Sequence, residues 1–143
     1  MNVNTILNLK GGDVVTVATS TSIVDVTKTL AKFGIGSIVV TNDDGSLAGI
    51  VSERDVVRAI AHMGADVTSE PVSEIMTENI ITCQRNDSID KIMGLMTSKR
   101  FRHMPVVEEG KLKGIISIGD VVQQRIAEAE LEASAMRSYI ATG

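Results

Sequence analysis

The stretch Gly49-Ile50-Val51-Ser52-Glu53-Arg54-Asp55 decides the fold, because the chain repeats it as Gly114-Ile115-Ile116-Ser117-Ile118-Gly119-Asp120. The two copies lie 65 residues apart, and eight of 13 positions are identical between Gly45–Val57 and Gly110–Val122. Each copy runs from an apolar strand through Ser-x-x-Asp into an apolar helix. Two copies are too few for a solenoid, so the repetition predicts one pseudo-symmetric domain with two similar turns.

The repeat covers most of the chain once one extra residue is allowed in the first copy's tight turn. Upstream of that turn the copies are 66 residues apart, so Val15-Thr16 pairs with Ile81-Thr82. The copies then span about residues 13–62 and 79–127. Short strands alternating with helices indicate an α/β unit in each copy.

The apolar pattern of each copy predicts a strand, a helix, two strands joined by a turn, and a second helix. The chain also begins with a helical pattern that ends at Gly11-Gly12. For the first copy we expect strands at 13–18, 37–41 and 47–51, with helices after Thr21 or Ser22 and after Asp55. For the second copy we expect strands at 79–83, 103–108 and 112–116, with helices at 88–98 and from 120 to 131 or beyond.

The two turns, together with Val72-Ser73-Glu74-Ile75-Met76-Thr77 and Arg102-His103-Met104-Pro105-Val106-Val107, carry a family resemblance. The chain resembles a stand-alone tandem pair of CBS domains, a Bateman module. The resemblance implies an α/β (α+β) fold of two pseudo-two-fold-related halves, each β-α-β-β-α, with sheets packed together and ligand clefts at the seam. It assigns 1–63 to a first CBS domain with a short N-terminal helix, 64–75 to a linker, 76–130 to a second CBS domain and 131–143 to a helical extension.

Net charge, apolar runs and cysteine content exclude several classes of function. The net charge of −4 argues against nucleic acid, and no apolar run approaches a membrane span. A single cysteine, with no pattern of a signal peptide, indicates a reducing compartment, so we expect a cytoplasmic protein. No pair of His or Cys residues has metal-ligand spacing, and no Ser, His and Asp pattern resembles a catalytic site. We therefore expect neither a metal nor catalysis.

The Ser-x-x-Asp turns have two interpretations. As capping boxes, Ser52 with Asp55 and Ser117 with Asp120 only begin their helices. As ligand sites, each carboxylate suits the two hydroxyls of a ribose, and each helix start and serine suit a phosphate. The motif alone favours the cap. The family resemblance reverses that preference for at least one copy, because it implies that both aspartates hold ribose and that both serines lie near ribose or phosphate.

A basic pair occurs only in the second copy. Arg102 and His103 stand where the first copy has Gly36 and Ser37, and they suit phosphate recognition, although a solvated strand end is the simpler interpretation. Arg54 is a further candidate at the first turn. Gly119 replaces it at the second turn, so the two sites should differ in charge and in bulk.

The resemblance also implies an adenine contact at the first strand of each copy, made by strand backbone and aliphatic side chains. That contact falls at Val15 and Thr16, and at Ile81 and Thr82. Ordinary strand composition accounts for the same residues without a ligand. Because aromatic residues make up only 2% of the chain, a base would have to pack against aliphatic groups.

These observations favour a non-catalytic regulatory module that binds an adenine nucleotide or adenosyl compound, such as AMP, ADP, ATP, S-adenosylmethionine or NAD(H), and signals to a separate protein partner. The alternative is a ligand-independent dimeric scaffold, and a small enzyme is the least favoured class. We expect a homodimer, because the family pairs such modules through their apolar helices. The helical extension either packs on its own domain or contacts a second subunit.

Overall fold

The computed structural model describes residues 1–142, and the fold is mixed α/β with five α-helices and five strands in that range. Strands β1, β2 and β3 form one sheet, in which β1 and β2 are parallel and β2 and β3 antiparallel. Strands β4 and β5 form a second sheet. In chain order the elements are α1 Val3–Lys10, β1 Thr16–Ala18, α2 Ile23–Phe33, β2 Ser37–Thr41, β3 Leu47–Ser52, α3 Glu53–Met63, α4 Ile89–Lys99, β4 His103–Glu108, β5 Lys111–Ser117 and α5 Ile118–Thr142.

Residues 13–81 and 108–113 form one compact unit, called here the copy-one unit. Its core brings together the buried faces of α2, α3 and strands β2 and β3. The segment after α3 adds Val67 and Val72 to this core through two short 3-10 turns. The predicted linker is therefore a packed part of the unit.

Residues 1–12, 82–107 and 114–142 form the other compact unit, the copy-two unit. The sequence predicts that the N-terminal helix belongs with the first CBS domain, whereas α1 belongs to the copy-two unit. The backbone N–H of Val3 donates to the Asp87 carbonyl at 3.0 Å, and the N–H of Asn4 donates to Arg85 at 2.8 Å. Leu7 of α1 lies against Gly114 of β5, where an added Cβ would meet its Cδ2 at 2.6 Å.

The strand predicted at 79–83 was wrong. Only Cys83 makes a parallel bridge to β4, donating to the Pro105 carbonyl at 3.0 Å and accepting from Val107 at 2.9 Å. To extend this parallel ladder toward Ile81, the backbone nitrogen of residue 105 would have to donate, and proline has no N–H. The predicted strand at 13–18 is also shorter, since β1 begins at Thr16.

The last helix, α5, continues to Thr142, well past the end of the second copy. The predicted C-terminal extension is therefore helical. Residues 129–142 are exposed, and of these Leu131 and Glu132 line a hollow with Met1, Ser88 and Ile89 of the same unit. Gly143, the final residue of the predicted extension, lies outside the described residues. In the part of the chain from Met1 to Thr142, none of the helices is both long and apolar enough to cross a bilayer.

Candidate functional site

Both Ser-x-x-Asp turns are capping boxes. In the copy-one unit the Asp55 N–H donates to Ser52 Oγ at 3.2 Å, and the Ser52 N–H donates to Asp55 Oδ2 at 2.9 Å. The same pair of bonds joins Ser117 and Asp120 in the copy-two unit, at 3.1 and 2.9 Å. Among residues 1–142, no hydrogen bond occupies Oδ1 of either aspartate. Each half-buried carboxylate therefore keeps an acceptor oxygen beyond its role in the cap.

The copy-two turn holds a lysine that the sequence reasoning missed. Lys10, the last residue of α1, donates from Nζ to Asp120 Oδ2 at 2.8 Å and to the Ile115 carbonyl at 3.0 Å. Burial disfavours the charged form of Asp120, but hydrogen bonds from Lys10 and the Ser117 N–H, with the charge of Lys10, outweigh it. The pKa of Asp120 therefore lies below its ordinary value.

The predicted basic pair lies beside this same turn. The N–H of Ile118, at the start of α5, donates to the Arg102 carbonyl at 2.8 Å, which places His103 at the beginning of the neighbouring strand. Burial lowers the pKa of His103 below its ordinary value; the charges of Lys10 and Arg102 lower it further, and Asp120 opposes them. The copy-two turn thus brings together Arg102, His103, Asp120 and Lys10, and three of these four are potential cations.

The copy-one turn has the same backbone geometry with a different charge. The Glu53 N–H donates to the Gly36 carbonyl at 2.9 Å, matching the bond between Ile118 and Arg102. Here, however, the residue beside the helix start is Gly36, and a Glu53 carboxylate oxygen lies 3.3 Å from the position of an added Cβ. Arg54 is exposed in the first turn of α3 and makes no ion pair with the residues from 1 to 142. The side chains at the two turns thus differ in charge, while the prediction that two ligand sites differ in charge stays a prediction.

A second residue missed by the sequence reasoning is Ser37, which pairs with Ser52 across β2 and β3. Ser37 is only 7% exposed, and in the described chain its Oγ is a buried side-chain oxygen with no hydrogen-bond partner. A buried hydroxyl oxygen without a hydrogen-bond partner destabilises the folded state unless a water or a ligand bonds to it. Its position opposite His103 in the repeat was visible in the sequence, but the missing partner was not.

The residues assigned to adenine are not all strand residues. Thr16 is exposed at the start of β1, and Val15 directly precedes it. Ile81 and Thr82 lie outside any strand, for the reason given for Pro105. Their placement in a strand was therefore wrong for three of the four, while their contact with a base stays a prediction.

Gly119, the other predicted site residue of the copy-two turn, has open space around it. An added Cβ would meet only Ser117 Oγ, at 3.6 Å.

A separate groove of about 540 Å³ lies between α2 and α3 of the copy-one unit. Its lining is mainly apolar, with Leu30, Ile35, Val56 and Val57 as its largest aliphatic side chains and Glu53 as its charged residue. This surface suits apolar contact better than a nucleotide. No group of three or more potential metal ligands occurs within residues 1–142.

The matching family model and several similar known proteins indicate CBS domains. The model of the family described as CBS domain matches residues 10–62 and 72–126. The CBS domain-containing protein CBSX3, mitochondrial, of Arabidopsis thaliana is 35% identical over 129 residues, which cover 87% of this chain and 63% of that protein. The chain thus spans less than two thirds of that relative, and 57% of a Methanopyrus kandleri protein that it also matches.

Solved structures match over nearly their whole length. The crystal structure of the CBS-domain containing protein ATU1752 from Agrobacterium tumefaciens is 49% identical, with a TM-score of 0.84, covering 87% of this chain and 99% of that one. The CBS domain pair of protein MJ0100, solved in complex with 5′-methylthioadenosine and S-adenosyl-L-methionine, is 26% identical, with a TM-score of 0.78 and coverage of 90% and 98%.

Proposed function

Because the chain belongs to the CBS-domain family, we propose that it is a regulatory, non-catalytic module that binds an adenosine compound at its Ser-x-x-Asp turns and signals to a separate protein. AMP, ADP, ATP, S-adenosylmethionine and NAD(H) are the candidate ligands. The adenosyl ligands of the MJ0100 domain pair support this class of compound. The change passed to the partner would come from the difference in ligand affinity between two conformations of the module.

The observation that carries the proposal is the copy-two turn. Asp120 keeps Oδ1 available for a ribose hydroxyl, beside the cations Lys10 and Arg102 and the donor His103, which suit a phosphate. In the copy-one unit, Asp55 offers the same carboxylate, and the unsatisfied hydroxyl of Ser37 lies next to the Ser52 cap. A buried hydroxyl without a partner supports a ligand there more strongly than the helix start alone.

A ligand-independent scaffold remains the second candidate, and one observation favours it. Both aspartates have a structural task as capping acids, so the motif has a reason to exist without any ligand. The two functions differ in one measurable respect, since only the regulatory module binds a small molecule.

The first prediction tests this difference by isothermal titration calorimetry of the purified chain with AMP, ADP, ATP, NAD⁺, S-adenosylmethionine and 5′-methylthioadenosine. We expect at least one to bind, and Asp120→Ala to weaken binding at the copy-two turn by about 10- to 150-fold. This range corresponds to losing hydrogen bonds to a charged group, about 1.5–3 kcal/mol.

Asp120→Asn is the matched variant, because the amide oxygen still accepts the Ser117 N–H while the negative charge is gone. Thermal unfolding without ligand separates loss of the cap from loss of the site. A chain that binds none of the six compounds is a scaffold, and the regulatory proposal is then wrong.

A further inference from the structure

Lys10 is held at the copy-two turn by two acceptors that belong to the turn itself. Its ammonium carries three N–H donors. Ile115 at the end of β5 accepts one at 3.0 Å, and Asp120 Oδ2 accepts another at 2.8 Å. The third donor is available to an additional acceptor without breaking either bond. The lysine side chain is 37% exposed, so that donor is accessible from solvent.

The position of Lys10 depends on how α1 packs. Leu7, one turn earlier in α1, is buried against Gly114, and the Gly11 N–H closes the helix on the Leu7 carbonyl at 2.7 Å. The end of α1 is therefore fixed over β5, and the lysine follows from it. This ammonium is a structured part of the turn, unlike a lysine on a free surface loop.

The copy-one unit has no equivalent cation. In the copy-one unit Met76 lies against Gly49 as Leu7 lies against Gly114 in the copy-two unit, and no lysine or arginine of residues 1–142 forms an ion pair with Asp55. The copy-one turn carries two acidic side chains, Glu53 and Asp55. The basic residue between them in the sequence, Arg54, is exposed. The copy-two turn therefore carries an ammonium held by two acceptors, whereas the copy-one turn carries none.

We propose that Lys10 is a specificity-determining residue of the copy-two turn, which makes this turn prefer adenosine compounds that carry a phosphate over those that carry none. This inference rests on the proposed function, since it assigns a ligand class to one of the proposed sites. A phosphate oxygen accepts the third N–H of Lys10, and Arg102 and His103 lie at the same turn to share its charge. The compact charge of an ammonium favours an anion here without requiring a fixed geometry.

The test compares AMP with 5′-methylthioadenosine, which shares its adenosine but has no phosphate. Titrations are made in an Asp55→Ala background, which removes the carboxylate of the copy-one turn, so that binding at the copy-two turn is measured. We expect Lys10→Met to reduce the affinity ratio of AMP to 5′-methylthioadenosine by about tenfold, the loss expected for one charge-assisted hydrogen bond. Lys10→Arg keeps the charge and should keep most of the ratio. Methionine is the chosen replacement because it is an unbranched, flexible side chain that suits a helix and carries no charge.

Lys91→Met is the matched control, since Lys91 belongs to the same unit and also pairs with an aspartate, Asp87, at 2.9 Å. It should leave the ratio unchanged. If the affinity ratio is unchanged in Lys10→Met, whether both ligands bind as before or both are weakened equally, this inference is wrong and the proposed regulatory function is unaffected. Failure of the parent chain to bind any adenosine compound overturns the proposed function and this inference together. Thermal unfolding of Lys10→Met and of Lys10→Arg shows that each variant is folded under the assay conditions.

Discussion

At the scale of single residues, Lys10 and His103 are coupled through charge. Burial is the largest cause of the lowered pKa of His103, and the positive charge of Lys10 is the next. Lys10→Met removes that charge and leaves Asp120, which raises the pKa of His103, without its lysine partner. We therefore expect the pKa of His103 to rise in Lys10→Met. A histidine NMR titration measures it directly, because the chain has only two histidines and His62→Gln identifies the other signal.

Lys91→Met again serves as the control, and it should leave the His103 titration where it is. A fall in the pKa of His103 on removing Lys10, or no change at all, would mean that the ammonium does not lie at the copy-two turn. That result would also remove the structural basis for ligand selection by Lys10.

The sequence predicted the capping serines and aspartates because their bonds join residues three positions apart. The contact between Lys10 and Asp120 spans 110 positions, and α1 lies outside the repeat, so no local pattern indicated it. Ser37 was visible only as the counterpart of His103. Its missing hydrogen bond depends on neighbours from another strand, which the sequence does not arrange in space.

At the scale of elements, Gly49 in β3 and Gly114 in β5 each let a neighbouring segment pack closely on the strand. An added Cβ at Gly49 would lie 2.6 Å from Met76 Sδ and 2.9 Å from the Thr77 carbonyl oxygen. Backbone bonds of 3.0 and 2.9 Å between Ile50 and Thr77 hold that carbonyl in place. At Gly114 the obstacle is Leu7 Cδ2, the end of a flexible side chain. We expect Gly49→Ala to lower the free energy of unfolding by about 1–3 kcal/mol, as overpacking does, and Gly114→Ala to lower it less.

Gly94 supplies the internal control for this pair, since it lies within α4 and an added Cβ there meets nothing within 4 Å. Gly94→Ala should raise the free energy of unfolding by roughly 0.5–1 kcal/mol through helix propensity. Urea unfolding of the three variants ranks them. If Gly114→Ala costs more than Gly49→Ala, then α1 is more rigidly packed than its side-chain contact implies.

Most elements were predictable because each copy carries alternating apolar residues and a serine at the start of its helices. The strand expected at 79–83 does not form, because Pro105 in the neighbouring strand has no N–H to donate. Sequence patterns describe one segment at a time, whereas a strand exists only if its neighbour can complete the hydrogen bonds. The same limit explains why α1 was grouped with the first copy, since its own pattern does not indicate which unit it covers.

At the scale of the whole molecule, the apolar side chains left exposed on α3 and α5 bear on assembly. Val57 is 65% exposed, Ile60 39% and Met63 59% on α3, and Val122 is 42% and Ile126 54% exposed on α5. Their neighbours Val56 and Val121 are buried in the units, so each helix has an inner and an outer apolar face. Burying a Val or Ile side chain contributes about 1.5–3 kcal/mol. We therefore predict a homodimer with isologous symmetry, formed by these outer faces.

Light scattering should give twice the mass of one chain at micromolar concentration, and Val57→Lys combined with Val122→Lys should give the mass of one chain. Leu9→Lys is the control, because Leu9 is 78% exposed on α1, away from both helices in sequence. The exposed end of α5, with Leu131, Tyr139 and Ile140, is the other apolar surface that a second subunit could cover. A chain ending at Glu130 tests it. If that shorter chain is monomeric while the Val57 and Val122 variant is still a dimer, then the extension forms the interface and the outer faces of α3 and α5 do not.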